Sequence, residues 1–186
     1  MHSTSNVPCS IFQDAMKQFN GPGIFWVDTS IRFLSSDLSA LQQISLQSDG
    51  VTGFLGPGHS VFAVTPKEML EFLPMTKDTK QNECIIATLV LLYKTKSVID
   101  NIMHWWLACA LSPKCIWSVE NRICHLNDKW NTFANCSRYD QSALSILLYN
   151  SFANTTKIIA PRIRKYLSKT TLDIQRWGDG GKVRYC

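Results

Sequence analysis

A chain of 186 residues with 45% apolar and 11% aromatic side chains is long enough for one domain with its own core and too short for two ordinary ones. Its 18% charged content and six tryptophans exclude a disordered chain, because this much apolar surface offsets the entropy of ordering. The formal net charge of +5 comes from the C-terminal end, where Arg162, Arg164, Lys165, Lys169, Arg176, Lys182 and Arg184 face only Asp173 and Asp179.

Residues 10–20 carry Ile11, Phe12, Ala15, Met16 and Phe19 at helical spacing, with Ser10 as N-cap and Gly21-Pro22-Gly23 as the stop. The run "GIFWV" at 23–27 is continuously apolar, which predicts a buried, parallel strand with Asp28 at its carboxyl end. Residues 35–47 read as a helix, with Leu38, Leu41 and Ile44 on one face. A glycine-rich turn through Gly53, Gly56 and Gly58 is then expected to lead into a strand "SVFAVT", followed by a helix with Pro66 at its first position. Residues 82–93 read equally as strand or buried helix. Helical patterns recur at 97–111 and at 140–152, the latter with Ala143, Leu144, Leu147 and Leu148 as its apolar stripe. Strands alternating with helices predict an α/β fold with a mainly parallel sheet flanked by helices over residues 1–161, and a basic tail over 162–186.

The tail is either a solvated surface or a wall for phosphate groups. No nucleic-acid-binding motif accompanies it, so nucleic acid is not an expected partner. Seven cysteines include Cys109, Cys115, Cys124 and Cys136 close together without a C-x-x-C pair. That spacing disfavours zinc and leaves disulfides or buried thiols, the former requiring an oxidising compartment. The triplets Asn135-Cys136-Ser137 and Asn154-Thr155-Thr156 match the acceptor pattern for N-linked glycans. The start "MHSTSNVPCS" carries no targeting signal, which would place any such segment upstream. The longest apolar stretches, 84–93 and 102–111, are about half of what a membrane span needs, so no transmembrane segment is expected.

Three constellations can carry chemistry. Asp28 with Ser30 offers two oxygen ligands to a hard divalent cation such as Mn²⁺ or Mg²⁺, or else caps the following turn. Gly58 lets a ligand approach the backbone while His59 reaches for a phosphate or metal, although a tight connection explains the same residues. Asp140 and Gln141 open a helix, Asp140 either as its N-cap or as an acceptor for substrate hydroxyls, with Gln141 presenting its amide. His104, in the apolar run before Trp105 and Trp106, reads as a packing residue. No nucleophile elbow and no His-Glu-x-x-His motif occurs.

In this order "IFWVDTS", "GPGHSVFAVTPKEM" and "RYDQSALSILL" resemble glycogenin-like retaining glycosyltransferases of the GT-A fold. The resemblance is closer still to a group of glycosyltransferase-like proteins from nematodes and other invertebrates. It spans about residues 10–150 and implies an incomplete GT-A-like domain. Asp28 matches the first acid of the family's Asp-x-Asp metal motif and Ser30 replaces the second. Asp140, Gln141 and Leu144 match the family's Asp-Gln-Asp-x-Leu-Asn helix start, with Ser142 and Ser145 as departures. The family's C-terminal metal-binding histidine has no counterpart in "IQRWGDGGKVRYC". By resemblance, Gln141 supports the oxocarbenium-like transition state beside Asp140, and the partners are a nucleotide sugar and a glycan or protein acceptor. The setting so implied is the Golgi or ER lumen, or secretion. The nucleotide-binding half, roughly a hundred residues of βαβ units, would precede Asp28. The alternative is a non-catalytic binding protein or a fragment of such an enzyme.

Overall fold

The computed structural model describes residues 7–29, 31–46, 48–117, 119, 121, 123–152, 159–160 and 172–174. Helix α1 (Val7–Gln18) leads into β1 (Gly23–Val27), then β2 (Ile31–Phe33), α2 (Ser39–Leu46) and the long β3 (Val51–Ser60). A 3-10 turn (Phe62–Val64) precedes α3 (Lys67–Phe72), α4 (Lys77–Lys80), β4 (Glu83–Ile85) and β5 (Leu89–Tyr93). Helix α5 (Lys96–Val98) passes through a π-helical turn (Ile99–Met103) into α6 (His104–Leu111), followed by α7 (Pro113–Ile116) and α8 (Tyr139–Ser151). Strands β6 (Ile159–Ala160) and β7 (Leu172–Ile174) follow.

The fold is mixed α/β, but its sheet is not mainly parallel. Pairings β1-β5, β5-β3 and β3-β4 are all antiparallel, and β6 beside β3 is the one parallel pairing among the described residues. The apolar run of β1 is only half-buried, at the end of the sheet, though it packs on both faces, which is compatible with either strand direction. Ile24, Trp26, Val90 and Leu92 pack into the larger core with Trp106 of α6 and Leu147 of α8. Phe25, Val27, Leu89 and Leu91 point the other way, onto Ile31, Leu38 and Leu41. Alternation along each strand therefore serves two apolar layers.

Strands β4 and β5 are two segments of one interrupted partner of β3. Val51 pairs with Leu92 and Thr52 with Leu91, then Leu55 pairs with Ile85. The carbonyls of Gly50 and Phe54 accept from Tyr93 and Ile86, and residues four apart in a strand present their backbone groups to the same side. Residues 86–88 form the interruption.

The glycine-rich stretch expected to be a turn is β3 itself, and "SVFAVT" is no strand: β3 ends at Ser60 and the 3-10 turn follows. Close packing explains the glycines. A Cβ on Gly53 would lie 3.0 Å from Ile85 Cγ2 and 3.2 Å from Leu148 Cδ1, and one on Gly56 would lie 3.0 Å from Ile86 Cγ2. Only Gly58 of the three has a positive φ, +71°, where the β3-β4 register shifts between Leu55 and Ser60. Ser60 Oγ then accepts from the Ala63 N–H and donates to the Trp130 carbonyl, turning the chain out of the sheet.

Residues 82–93 hold the two strands β4 and β5 and no helix, and the four clustered cysteines form Cys109–Cys115 and Cys124–Cys136. These fit a protein of an oxidising, non-cytosolic compartment. Cys84 is a buried free thiol, pushed up to about 12 by that burial. Contrary to expectation His104 is exposed, its Nδ1 4.0 Å from Asp100 on the same helical face. Among the described residues no helix is long and apolar enough to cross a membrane. Most of the basic tail lies outside the described residues, but Leu172–Ile174 within it pair with β2.

The β1 edge is tightly seated. A Cβ on Gly23 would lie 2.7 Å from the Leu92 carbonyl oxygen and 3.1 Å from Tyr93 Cα, and neither backbone atom yields easily. Gly23→Ala should destabilise the fold, because overpacking of about 1–3 kcal/mol exceeds the ~0.4–1 kcal/mol gained by stiffening the unfolded chain. Urea unfolding with the disulfides intact measures this, and a neutral or stabilised variant would contradict the packing described.

Candidate functional site

The sequence-predicted residues gather around β4 and the interruption after it. Asp28 follows β1, half-buried, and its N–H donates to the Thr88 carbonyl at 2.9 Å. Its own carbonyl accepts from the Ile31 N–H at 2.9 Å, closing a turn into β2. Asp28 Oδ1 accepts from the Thr29 N–H at 2.7 Å and from the Thr29 hydroxyl at 3.3 Å. The carboxylate thus organises its own turn, as short polar side chains do where a strand ends. Ser30 lies outside the described residues.

The metal reading has a narrow form here. Among the described residues no three His, Cys, Asp or Glu side chains converge to hold an ion. One carboxylate together with substrate phosphates is a recognised way to bind Mg²⁺, and Asp28 fits that donor set.

Gly58 and His59 are used by the fold. The Gly58 N–H donates to Glu83 Oε1 at 2.8 Å, tying the shifted register of β3 to β4. His59 is buried, with Nδ1 3.3 Å from the Ser60 carbonyl. Burial holds its imidazole below the ordinary value. The Ser60 carbonyl and Glu83 pull it back, whereas Arg138 and Lys129 push it further down. His59 is thus held toward its neutral form, with Glu83, Arg138 and Lys129 near enough to act on it.

Helix α8 supplies the strongest pattern. Gln141 Nε2 donates to the Ile85 carbonyl at 2.6 Å, and Ser145 Oγ accepts from the Ile85 N–H at 3.2 Å. Tyr149 Oη donates to the Glu83 carbonyl at 2.6 Å. These three residues are four apart, so they form one stripe of the helix, laid along β4. Ser145 gives its single proton to the Gln141 carbonyl at 2.7 Å, with Cys84 Sγ a more distant alternative at 3.5 Å. Ser142 donates to the Val64 carbonyl at 3.1 Å. Both serines are fully buried, so a carboxylate at either position would lose hydration without a partner.

Asp140 is not the N-cap. Arg138 takes that position, and its side chain makes no capping hydrogen bond. Tyr139 enters it at a φ of +39°, its ring against Trp117 and its hydroxyl donating to the Val119 carbonyl at 3.1 Å. Asp140 follows, one residue from the Gln141 that reaches the end of β4. Burial pushes its carboxyl up to about 6, winning over the Gln141 and Asp140 N–H groups that favour the charged form.

Reading from sequence alone missed Glu83, Arg138, Ser145 and Tyr149. A signal for two of them existed: polar residues at four-residue steps inside a helix otherwise apolar around its circumference.

Asp140 gives a pH test. Below the ordinary value of 3.8 both folded and unfolded chains hold the proton; between there and about 6 only the folded chain does. Stability therefore falls as pH rises through that window, and the penalty is complete above it. Asp140→Asn should stabilise the protein near neutral pH by about 1–2 kcal/mol, the shift being discounted for partial exposure, and by much less near pH ~4. Thermal unfolding across pH checks this; an equal effect at both ends would contradict the buried carboxyl.

No family model, curated protein or solved structure matches the chain.

Proposed function

We propose that this chain is the acceptor-side portion of a glycosyltransferase-like protein working in a luminal or secreted setting, with Asp28 and Asp140 meeting a nucleotide-sugar donor. One observation carries the reading: the Asp28 turn and the start of α8 attach to the two ends of the same interruption of one strand. Asp28 is anchored at Thr88, and the residue after Asp140 is anchored at Ile85. Three residues span at most about 11 Å, so the backbone anchors of the Asp28 turn and of the start of α8 lie within that distance of each other, and the reading takes them as one rim. Ile174 of β7 pairs with Ile31, three residues after Asp28.

In this reading Asp28 would hold Mn²⁺ or Mg²⁺, which would supply positive charge to offset that of a leaving diphosphate. Asp140 accepts hydrogen bonds from sugar hydroxyls. Gln141 acts as a positioning residue, since its amide is given to Ile85 and fixes the start of α8. Gly58 and His59 serve the frame and do not contact donor phosphate. The acceptor is a glycan or a protein.

A second reading is favoured by the Gln141 geometry itself. An amide nitrogen committed to a backbone carbonyl at 2.6 Å cannot swing freely toward a reacting sugar, which suits a chain that binds a glycan without transferring it.

Calorimetry with Mn²⁺ and a panel of nucleotide sugars separates the two. The transferase reading predicts metal-dependent binding weakened at least about tenfold, ~1.4 kcal/mol, in Asp28→Ala. Absence of metal-dependent heat with every donor would overturn it, and metal-independent heat with free oligosaccharides would establish the second.

A further inference from the structure

The triplet Asn135-Cys136-Ser137 has no part in the rim described above, and the fold treats its three residues very differently. Asn135 is exposed and sits at a φ of +49°, a left-handed conformation that asparagine tolerates better than most residues. Cys136 is fully buried and joined to Cys124. Ser137 is 1% exposed, and its hydroxyl accepts from the Tyr139 N–H at 3.1 Å at the entry to α8. The backbone is clamped as well: Asn121 Nδ2 donates to the Asn135 carbonyl at 3.2 Å, and the Ser137 N–H donates to the Asn121 carbonyl at 3.0 Å.

An enzyme that glycosylates asparagine reads the hydroxyl two residues on, together with the backbone between. In the folded, oxidised protein both are withdrawn, while the acceptor side chain itself stands in solvent. We propose that Asn135 is an N-glycosylation site whose occupancy is decided by a race with closure of the Cys124–Cys136 disulfide. Before closure the triplet is an open chain segment. The Asn135 amide nitrogen then attacks the anomeric carbon of a lipid-pyrophosphate-linked oligosaccharide. A C–N bond forms, the C–O bond to the pyrophosphate breaks, one amide proton is released and the lipid pyrophosphate departs. After closure the site is shut, but a glycan already attached is accommodated because Asn135 faces outward. Disulfide formation takes seconds or longer, slow enough to compete with modification of a nascent chain.

This rests on entry into an oxidising lumen, which the two disulfides support. The test therefore supplies that entry: the full chain is expressed behind a cleavable secretory leader in eukaryotic cells, and glycan at Asn135 is read by glycosidase digestion and peptide mass over the whole pool, folded or not. Formation of Cys109–Cys115 in the same sample reports arrival in the lumen, so a silent Asn135 is not confused with failed delivery. Occupancy should rise about twofold or more in Cys124→Ser relative to the parent, from whatever level the parent shows, and should vanish in Asn135→Gln. Equal occupancy in the parent and in Cys124→Ser, or none in either, would overturn the proposal.

Discussion

The structure depends on how β4 satisfies its backbone on the side away from β3. A strand with an open edge exposes donors and acceptors that must be paired or hydrated, and buried ones left alone cost about 1–3 kcal/mol each. Here a helix does the pairing. Gln141, Ser145 and Tyr149 serve the Ile85 carbonyl, the Ile85 N–H and the Glu83 carbonyl, so α8 contributes to the sheet in hydrogen bonds as well as in apolar contact. The glycine at position 53 belongs to the same device. Its missing side chain leaves room for Ile85 and Leu148 to close over β3. With α8 fixed, Ser142 at the Val64 carbonyl and Tyr139 against Trp117 hold the loops at its N-terminal end.

Much of this was legible in the sequence. The strand at 23–27, the helix at 140–152 with its stripe and the clustering of four cysteines all follow from local pattern. Strand direction was not legible, because a run such as that of β1 reports how many faces are buried and says nothing of which way its neighbour runs. The glycines of β3 read as a turn since composition cannot tell a residue chosen for its φ from one chosen for its missing Cβ; Gly58 is the first kind, Gly53 and Gly56 the second. Gln141 read as a substrate-facing amide because its partner, Ile85, is 56 residues away and leaves no mark on the sequence around it.

The candidate rim is what remains when these structural duties are subtracted. Gly58, His59 and Gln141 are absorbed by β4 and its surroundings. Asp28 and Asp140 stay at the interruption of the strand, one organising a turn and the other held toward its neutral form by burial. The same helix that frames the rim withdraws Ser137 at its entry, linking the fold's ordering to the fate of Asn135.

Side chains of α8 complete the backbone bonding of β4, and amide hydrogen exchange at Ile85 tests this most directly. The Ile85 N–H should exchange slowly in the parent protein and about tenfold or more faster in Ser145→Ala, while the Tyr93 N–H, bonded to the Gly50 carbonyl, stays unchanged. Rapid exchange at Ile85 in the parent, or protection indifferent to the loss of the Ser145 hydroxyl, would contradict it.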